Sequence, residues 1–296
     1  MGTTNEWVVI ERDGTSAAVD PMGAQLMSLE RDGIQYLWQG DERWWPRRSP
    51  VLFPIVGSLR GCHSETPHGA ADMAQHGVAR GQRFSVAATG SDFVTMVLEA
   101  NDETRAAYPY DFRLSMTYTV LEGGAVEQRF EVSNTDKDEL PFVVGGHPAF
   151  NVPLVAGETF EDYELVFSFP WSWDSPSLGA DKLLHWDEPC PVLRESDTLP
   201  IRRELFCADT VVLKDVPGNG AMLRSRVSGH GVALDFPGFE YCGVWSAQPD
   251  APFVAVEPWT GCATGSDEGD VLAEKRGMTL LAPGETWQAA FTMRPF

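Results

Sequence analysis

The chain is poor in basic residues. Its 296 residues carry 22 Lys+Arg against 43 Asp+Glu, a formal net charge of −21 at pH 7. Nucleic acids are held by clustered Lys and Arg, so this balance argues against a nucleic-acid partner. Cysteine is scarce as well: Cys62, Cys190, Cys207, Cys242 and Cys262 are odd in number and include no Cys-x-x-Cys pair. That is not the pattern of a disulfide framework or a thiolate zinc site, and buried, inert thiols are expected. No apolar run reaches 18 residues, and Met1–Trp7 lacks the basic start and apolar centre of a signal peptide. The expectation is a soluble, cytoplasmic protein without a membrane partner. Also missing are a Gly-x-x-x-x-Gly-Lys-[Ser/Thr] phosphate loop and a Gly-x-Ser-x-Gly elbow, which removes support for common nucleotide and acyl chemistries.

What is present is enough apolar material for a large core: 43% hydrophobic against 22% charged residues. The 28 Gly and 21 Pro suit many short strands and turns better than long helices. Residues 112–120 alternate apolar and polar side chains without a break, and Val126, Phe130 and Val132 recur at even spacing beyond Glu122-Gly123-Gly124. Residues 111–133 therefore read as an antiparallel hairpin. Similar signals mark strands at 7–10, 17–19, 93–98, 163–169, 210–213, 232–236, 241–246, 253–256 and 287–293, with one helical turn at 101–107 before Pro109. No repeat or charge-rich linker interrupts them, so residues 1–296 are predicted to form a single all-β domain.

Two of the six histidines stand out. His76 lies in Gln75-His76-Gly77-Val78-Ala79-Arg80, and His147 follows an apolar strand and Gly145-Gly146 and precedes Pro148. Tight backbone geometry there suits a placed imidazole; the plain alternative is a hydrogen-bonded structural histidine. Glu257 follows the apolar run 252–256 and precedes Pro258-Trp259. Partial burial would raise its pKa toward the range of a general base, whereas a solvent-facing or arginine-paired carboxylate is the ordinary reading. Cys62, His63, His68 and His76 fall close together but fit no structural zinc pattern, and no metal is expected. The chain has ten tryptophans, seven of them at 38–45, 171–173 and 245–259. Their flat amphipathic rings suit a sugar, although packing between sheets accounts for most of them.

Ser49-Pro50-Val51-Leu52-Phe53-Pro54-Ile55-Val56-Gly57, Gln75-His76-Gly77-Val78-Ala79-Arg80, Tyr108-Pro109-Tyr110-Asp111-Phe112, Gly145-Gly146-His147-Pro148-Ala149-Phe150 and Val256-Glu257-Pro258-Trp259-Thr260-Gly261 occur in this order. In these motifs the chain resembles the aldose 1-epimerases, and within them the bacterial galactose mutarotase-related branch, over about residues 20–290. The resemblance implies a large antiparallel β-sandwich, the galactose mutarotase-like supersandwich, with a sugar cleft and no cofactor. It implies Glu257 as general base, His147 as general acid and His76 as an assisting histidine. Asp209, ahead of the apolar strand 210–213, is implied as a sugar ligand, with Arg80 and secondarily Arg48 as sugar-facing arginines. The implied reaction interconverts hexose anomers; a hexose 6-phosphate substrate or a non-catalytic sugar-binding module are the alternatives, and a monomer or homodimer is expected. Two departures fall inside the motifs. Ser58 follows Gly57 where many relatives carry arginine, and Val78 stands where an aromatic is common.

Overall fold

Alternation of side chains builds the largest sheet. Along Phe112–Val120 the residues Phe112, Leu114, Met116, Tyr118 and Val120 are all buried, and Val126–Asn134 repeats the pattern. The two strands pair antiparallel from Phe112↔Asn134 to Val120↔Val126. The turn between them holds Gly123 and Gly124 at φ +83°, a region open to glycine and costly for other residues, so the predicted hairpin forms as read. The structure, a computed structural model, describes residues 6–296, and the leader reading at Met1–Asn5 lies outside them.

This hairpin is the middle of a nine-stranded antiparallel sheet. Its order is Leu184–Pro200, Tyr163–Leu178, Gly220–Ser225, Gly231–Asp235, Thr286–Pro295, Val126–Asn134, Phe112–Val120, Phe93–Glu99 and Ser85–Thr89. A six-stranded sheet faces it, ordered Val211–Lys214, Tyr241–Trp245, Phe253–Trp259, Gly145–Gly146 and Val51–Leu52, with Ala149–Asn151 also pairing onto Phe253–Trp259. Inner-face residues of both sheets, among them Met116, Phe130, Phe291, Val244 and Val256, share one apolar core, the arrangement of a β-sandwich. A smaller antiparallel sheet of Val8–Arg12, Thr15–Asp20, Gln25–Arg31 and Ile34–Gln35 adds Ile10, Val19 and Leu29 to that core.

The predicted helical turn is the helix Asp102–Ala107. The Asn101 side chain accepts hydrogen bonds from the Glu103 and Thr104 amides, satisfying donors that a helix start leaves unpaired. No helix among the described residues is long and apolar enough to cross a membrane. The expectation of buried thiols holds for Cys242 but not for Cys62, Cys190 and Cys207, which are exposed. Cys190 lies on the outermost strand and Cys62 and Cys207 at turns, where the backbone runs along the surface.

One large feature departs from the sequence reading. The strand predicted at 163–169 runs on to Leu178, and a partner, Leu184–Pro200, returns beside it. The return strand is edge-on and mostly exposed, and it carries Pro189, Pro191 and Pro200, so it has neither the alternation nor the composition of a typical strand. Four register shifts between Val166 and Ser177 bend the pair, as bulges do. The bent arm crosses onto the six-stranded sheet, where Trp173 Nε1 donates to the Val212 carbonyl at 2.8 Å and the Val212 amide donates to Ser175 Oγ at 2.9 Å.

Candidate active site

Glu257 reaches the site because its strand is buried on both faces. Along Phe253–Trp259 every residue is buried. Val254 and Val256 point into the core between the sheets, so the period of two turns Phe253, Ala255, Glu257 and Trp259 to the outer face. Neighbouring strands follow the same rule: Val212 and Trp245 share that outer face, while Leu213, Cys242 and Val244 face inward. The outer face and the tip of the long hairpin enclose a cavity of about 280 Å³, lined by Glu257, His147, His76, Arg80 and Asp209, with Trp45, Trp245 and Trp259 as aromatic walls. Five of the six predicted site residues thus meet in one place.

His147 leaves the Gly145–Gly146 strand, where no larger residue fits. A Cβ on Gly145 would lie 2.6 Å from Trp259 Cδ1, and one on Gly146 would lie 2.5 Å from Phe291 Cζ. The imidazole stacks on Trp45, with ring centroids 4.7 Å apart, and meets His76 and Trp245 edge-on at 5.7 and 5.6 Å. Its Nε2 lies 3.3 Å from Glu257 Oε2, and both side chains are almost wholly buried. His147 Nδ1 is buried without a hydrogen-bond partner among the described residues.

His76 is fixed by a reciprocal contact with Gly57. The His76 amide donates to the Gly57 carbonyl at 2.7 Å, and the Gly57 amide donates to His76 Nδ1 at 3.1 Å. An accepting Nδ1 leaves the proton of the neutral ring on Nε2, so the tautomer follows from a backbone contact. Both residues have left-handed backbone, at φ +68°, and a Cβ on Gly57 would lie 2.4 Å from Ala263 Cβ.

Burial sets the charge states. It pushes the Glu257 carboxyl well above the usual carboxylate range; the Trp259 indole opposes this and the charge of Asp209 adds to it. Burial likewise holds His147 well below the usual imidazole range, helped by the positive charges of Arg80 and Arg47. His76 is lowered by burial, then by His147, Arg80 and Arg47. The mechanism implied by the resemblance needs a carboxylate and an imidazolium, but the closed surroundings favour their uncharged forms. Burial thus disfavours charge on both partners, and the 3.3 Å approach of His147 Nε2 to Glu257 Oε2 sets side by side the two groups between which a proton would pass.

Arg80 lines the cavity from the short 3₁₀ turn Ala79–Gly81, and burial plus the neighbouring Arg47 lower its pKa to about 10. Among the described residues neither Arg80 nor Arg47 has a carboxylate within salt-bridge distance. Arg48 is a correction: its Nη1 donates to the Met27 carbonyl at 2.6 Å and to Gln39 Oε1 at 2.7 Å, and its guanidinium lies over the Trp7 ring. Those acceptors belong to the small amino-terminal sheet and its flank, so Arg48 braces that sheet and does not line the cavity. Of the two motif departures, Ser58 lines the cavity, whereas Val78 packs against the core.

Lys182, which sequence reasoning missed, also lines the cavity, and its Nζ lies 3.6 Å from Asp209 Oδ2. Both residues hold left-handed backbone, at φ +66° and +75°. For a residue with a Cβ this costs about 1–2 kcal/mol. An ion pair this exposed contributes under about 1 kcal/mol, so the contact does not offset the strain. No sequence signal marks Lys182, because the hairpin that delivers it is irregular.

The sequence also matches the family model described as aldose 1-epimerase over residues 6–294. It is 36% identical over 278 residues to the plasmid-encoded protein LacX of Lactococcus lactis subsp. lactis, covering 91% of this chain and 93% of that protein. Among solved structures, a galactose mutarotase-like protein from Lactobacillus casei superposes with a TM-score of 0.90 at 31% identity, covering 98% of this chain and 100% of that one. A galactose mutarotase related enzyme from Lactobacillus acidophilus gives the same TM-score at 29% identity, covering 98% and 97%. Motif order, sandwich architecture and a match along nearly the whole length agree: the chain belongs to the aldose 1-epimerase family.

Proposed function

We propose that the protein interconverts the α and β anomers of a hexose by acid–base opening and reclosure of the ring. The observation that carries this reading is the buried couple of His147 Nε2 and Glu257 Oε2 at 3.3 Å, in a tryptophan-walled cavity of about 280 Å³. That volume is near the lower end of the roughly 300–1,000 Å³ typical of small-molecule sites and suits one monosaccharide. Trp45, Trp245 and Trp259 offer apolar faces to sugar C–H groups, while Asp209 and Arg80 offer an acceptor and donors for hydroxyls.

The proton count closes with these side chains and the sugar alone. Transfer of a proton from Glu257 to His147 gives a carboxylate and an imidazolium. Glu257 then removes the proton of the anomeric hydroxyl as His147 protonates the ring oxygen, and the C1–O5 bond breaks to leave the aldehyde. Opening ends with Glu257 protonated and His147 neutral, which is the state burial favours. Rotation about C1–C2 and the reverse transfers give the other anomer. His76, with its Nε2 proton fixed, supplies a hydrogen bond beside this couple.

Polarimetry on freshly dissolved α-glucose, α-galactose and their 6-phosphates tests the reading: catalytic amounts of protein are expected to speed the approach to anomeric equilibrium for at least one sugar, and no acceleration with any of them would overturn it. A phosphorylated hexose is favoured as a second reading by Arg47 and Arg80, neither of which has an acidic partner among the described residues. Arg80→Ala is expected to raise KM roughly tenfold or more, the scale of one lost charge-assisted contact. Arg48→Ala, with its guanidinium turned to Met27 and Gln39, is expected to leave KM unchanged in the same steady-state assay.

A further inference from the structure

The long hairpin Tyr163–Leu178 and Leu184–Pro200 does more than extend a sheet. Its tip is tied down on the far side of the cavity: the Leu184 amide donates to the Thr264 carbonyl and the Ser266 amide to the Leu184 carbonyl, each at 2.9 Å. With the contacts of Trp173 and Ser175 to Val212, the tip is anchored on both flanks of the site. Leu178, Lys182 and Leu184 thereby become part of the cavity lining.

The chain has four lysines, Lys137, Lys182, Lys214 and Lys275, and Lys182 is the one that lines the cavity. The tip's own backbone bonds, Gly179 amide to Leu183 carbonyl and Lys182 amide to Gly179 carbonyl, fix its left-handed conformation. Asp209 is fixed on the opposing loop by its backbone amide, which donates a hydrogen bond to the Phe206 carbonyl at 3.1 Å, and Thr210 Oγ1 donates to its Oδ1. Two strained residues from separate loops thus present an ammonium and a carboxylate oxygen 3.6 Å apart at the cavity wall. Two groups this close together can each reach one of two adjacent hydroxyls on a pyranose ring, the ammonium as donor and the carboxylate as acceptor. The Lys182 side chain is 60% exposed, so it is free to exchange its contact with Asp209 for one with a ligand.

We propose that Lys182 is a substrate-binding, specificity-determining residue. It donates to one hydroxyl of the aldose while Asp209 accepts from the neighbouring one, so that the pair reads a vicinal diol. This rests on the epimerase reading and on Asp209 as a sugar ligand. It is tested by measuring KM and kcat for anomer interconversion with wild type, Lys182→Met, Lys182→Arg and, as a control, the surface variant Lys137→Met. The substrates are the best hexose found and its 2-, 3-, 4- and 6-deoxy analogues.

Lys182→Met is expected to raise KM for the parent hexose roughly tenfold with kcat within about twofold, the scale of one charge-assisted hydrogen bond. Lys182→Arg should recover most of the loss, and Lys137→Met should match wild type. For one deoxy sugar, the analogue lacking the hydroxyl that Lys182 contacts, wild type and Lys182→Met should have equal KM. A KM unmoved in Lys182→Met, or a penalty equal for the parent and every analogue, would overturn the role of Lys182 while leaving the epimerase reading intact. Failure of the wild type to accelerate any sugar would overturn both.

Discussion

Replacing Glu257 with glutamine is expected to abolish anomer interconversion and, at the same time, to stabilise the fold at neutral and alkaline pH. The amide keeps the shape of the carboxyl but cannot exchange a proton with His147 or the sugar. The loss should therefore match the roughly 10²–10⁴-fold contribution of general acid–base catalysis, read in kcat. The stability effect follows from burial. Glu257 is wholly enclosed on the strand Phe253–Trp259, and its folded-state pKa is raised well above the ordinary value of 4.5. A group whose pKa is raised on folding contributes fully below its unfolded pKa, and that contribution is lost as pH rises toward the folded value. Glutamine does not titrate, so the variant escapes this loss. Its melting temperature should exceed that of wild type at about pH 8, with the gap closing toward about pH 5. Thermal melts across that range check the sign, and a variant less stable than wild type at the upper end would contradict the burial argument. His147 acts in the opposite sense, since its lowered pKa removes stability as pH falls below 6.5. It is present in both proteins and leaves the sign of the comparison unchanged.

Gly77→Ala is expected to cost both stability and activity. Gly77 sits at φ +74°, and a Cβ there would lie 2.3 Å from the Phe53 carbonyl oxygen and 2.7 Å from its carbon. The obstacle is backbone, and the same Phe53 oxygen accepts from the Val78 and Ala79 amides, so relief breaks the turn that carries His76 and Arg80. The expected destabilisation is about 3 kcal/mol or more, which in a chain of this size lowers Tm by roughly 5 °C or more. Activity should fall with it, as His76 loses its alignment with Gly57. Gly61→Ala isolates the backbone component. Gly61 also has positive φ, at +58°, but a Cβ there meets nothing within 4 Å. Its cost should be about 1–2 kcal/mol with kcat/KM unchanged. Denaturation and steady-state kinetics on the two variants separate conformational strain from collision.

These expectations rest on features that were unequally legible in the sequence. The hairpin at 111–133 was plain because one face of each strand is packed and the other wet, and side-chain polarity records that difference directly. Glu257 stood out as a carboxylate at the end of an apolar run, but the run alone left a solvent-facing or arginine-paired carboxylate as the ordinary reading, and it is the burial of the strand on both faces that removes it. Glycine beside His147 and His76 marked both histidines, because each needs a particular backbone and glycine records that need, whereas Arg80 and Asp209 were indicated only by the family resemblance. Arg48 was misplaced because adjacent arginines look alike in sequence, whereas the direction of each is set by acceptors far along the chain, Met27 and Gln39 for Arg48. The return strand Leu184–Pro200 and its Lys182 were illegible because the arm is bent, solvent-exposed and held by long-range contacts to Val212 and Thr264. Local composition carries no trace of such contacts. The charge states were also out of reach, since they depend on how completely Trp45, Trp245 and Trp259 wall off the pair.

The central claim is that Glu257 and His147 open and reclose a sugar ring by moving protons between oxygen atoms. Two-dimensional exchange NMR of a hexose at anomeric equilibrium in D₂O tests it most directly, with catalytic protein added and Glu257→Gln as the comparison. The account predicts cross-peaks between the α and β H1 signals that build up faster with wild type than with the variant or buffer, and no deuterium entering at C2, because the chemistry stays at O1 and O5. Exchange no faster than buffer, or deuterium appearing at C2, would contradict it.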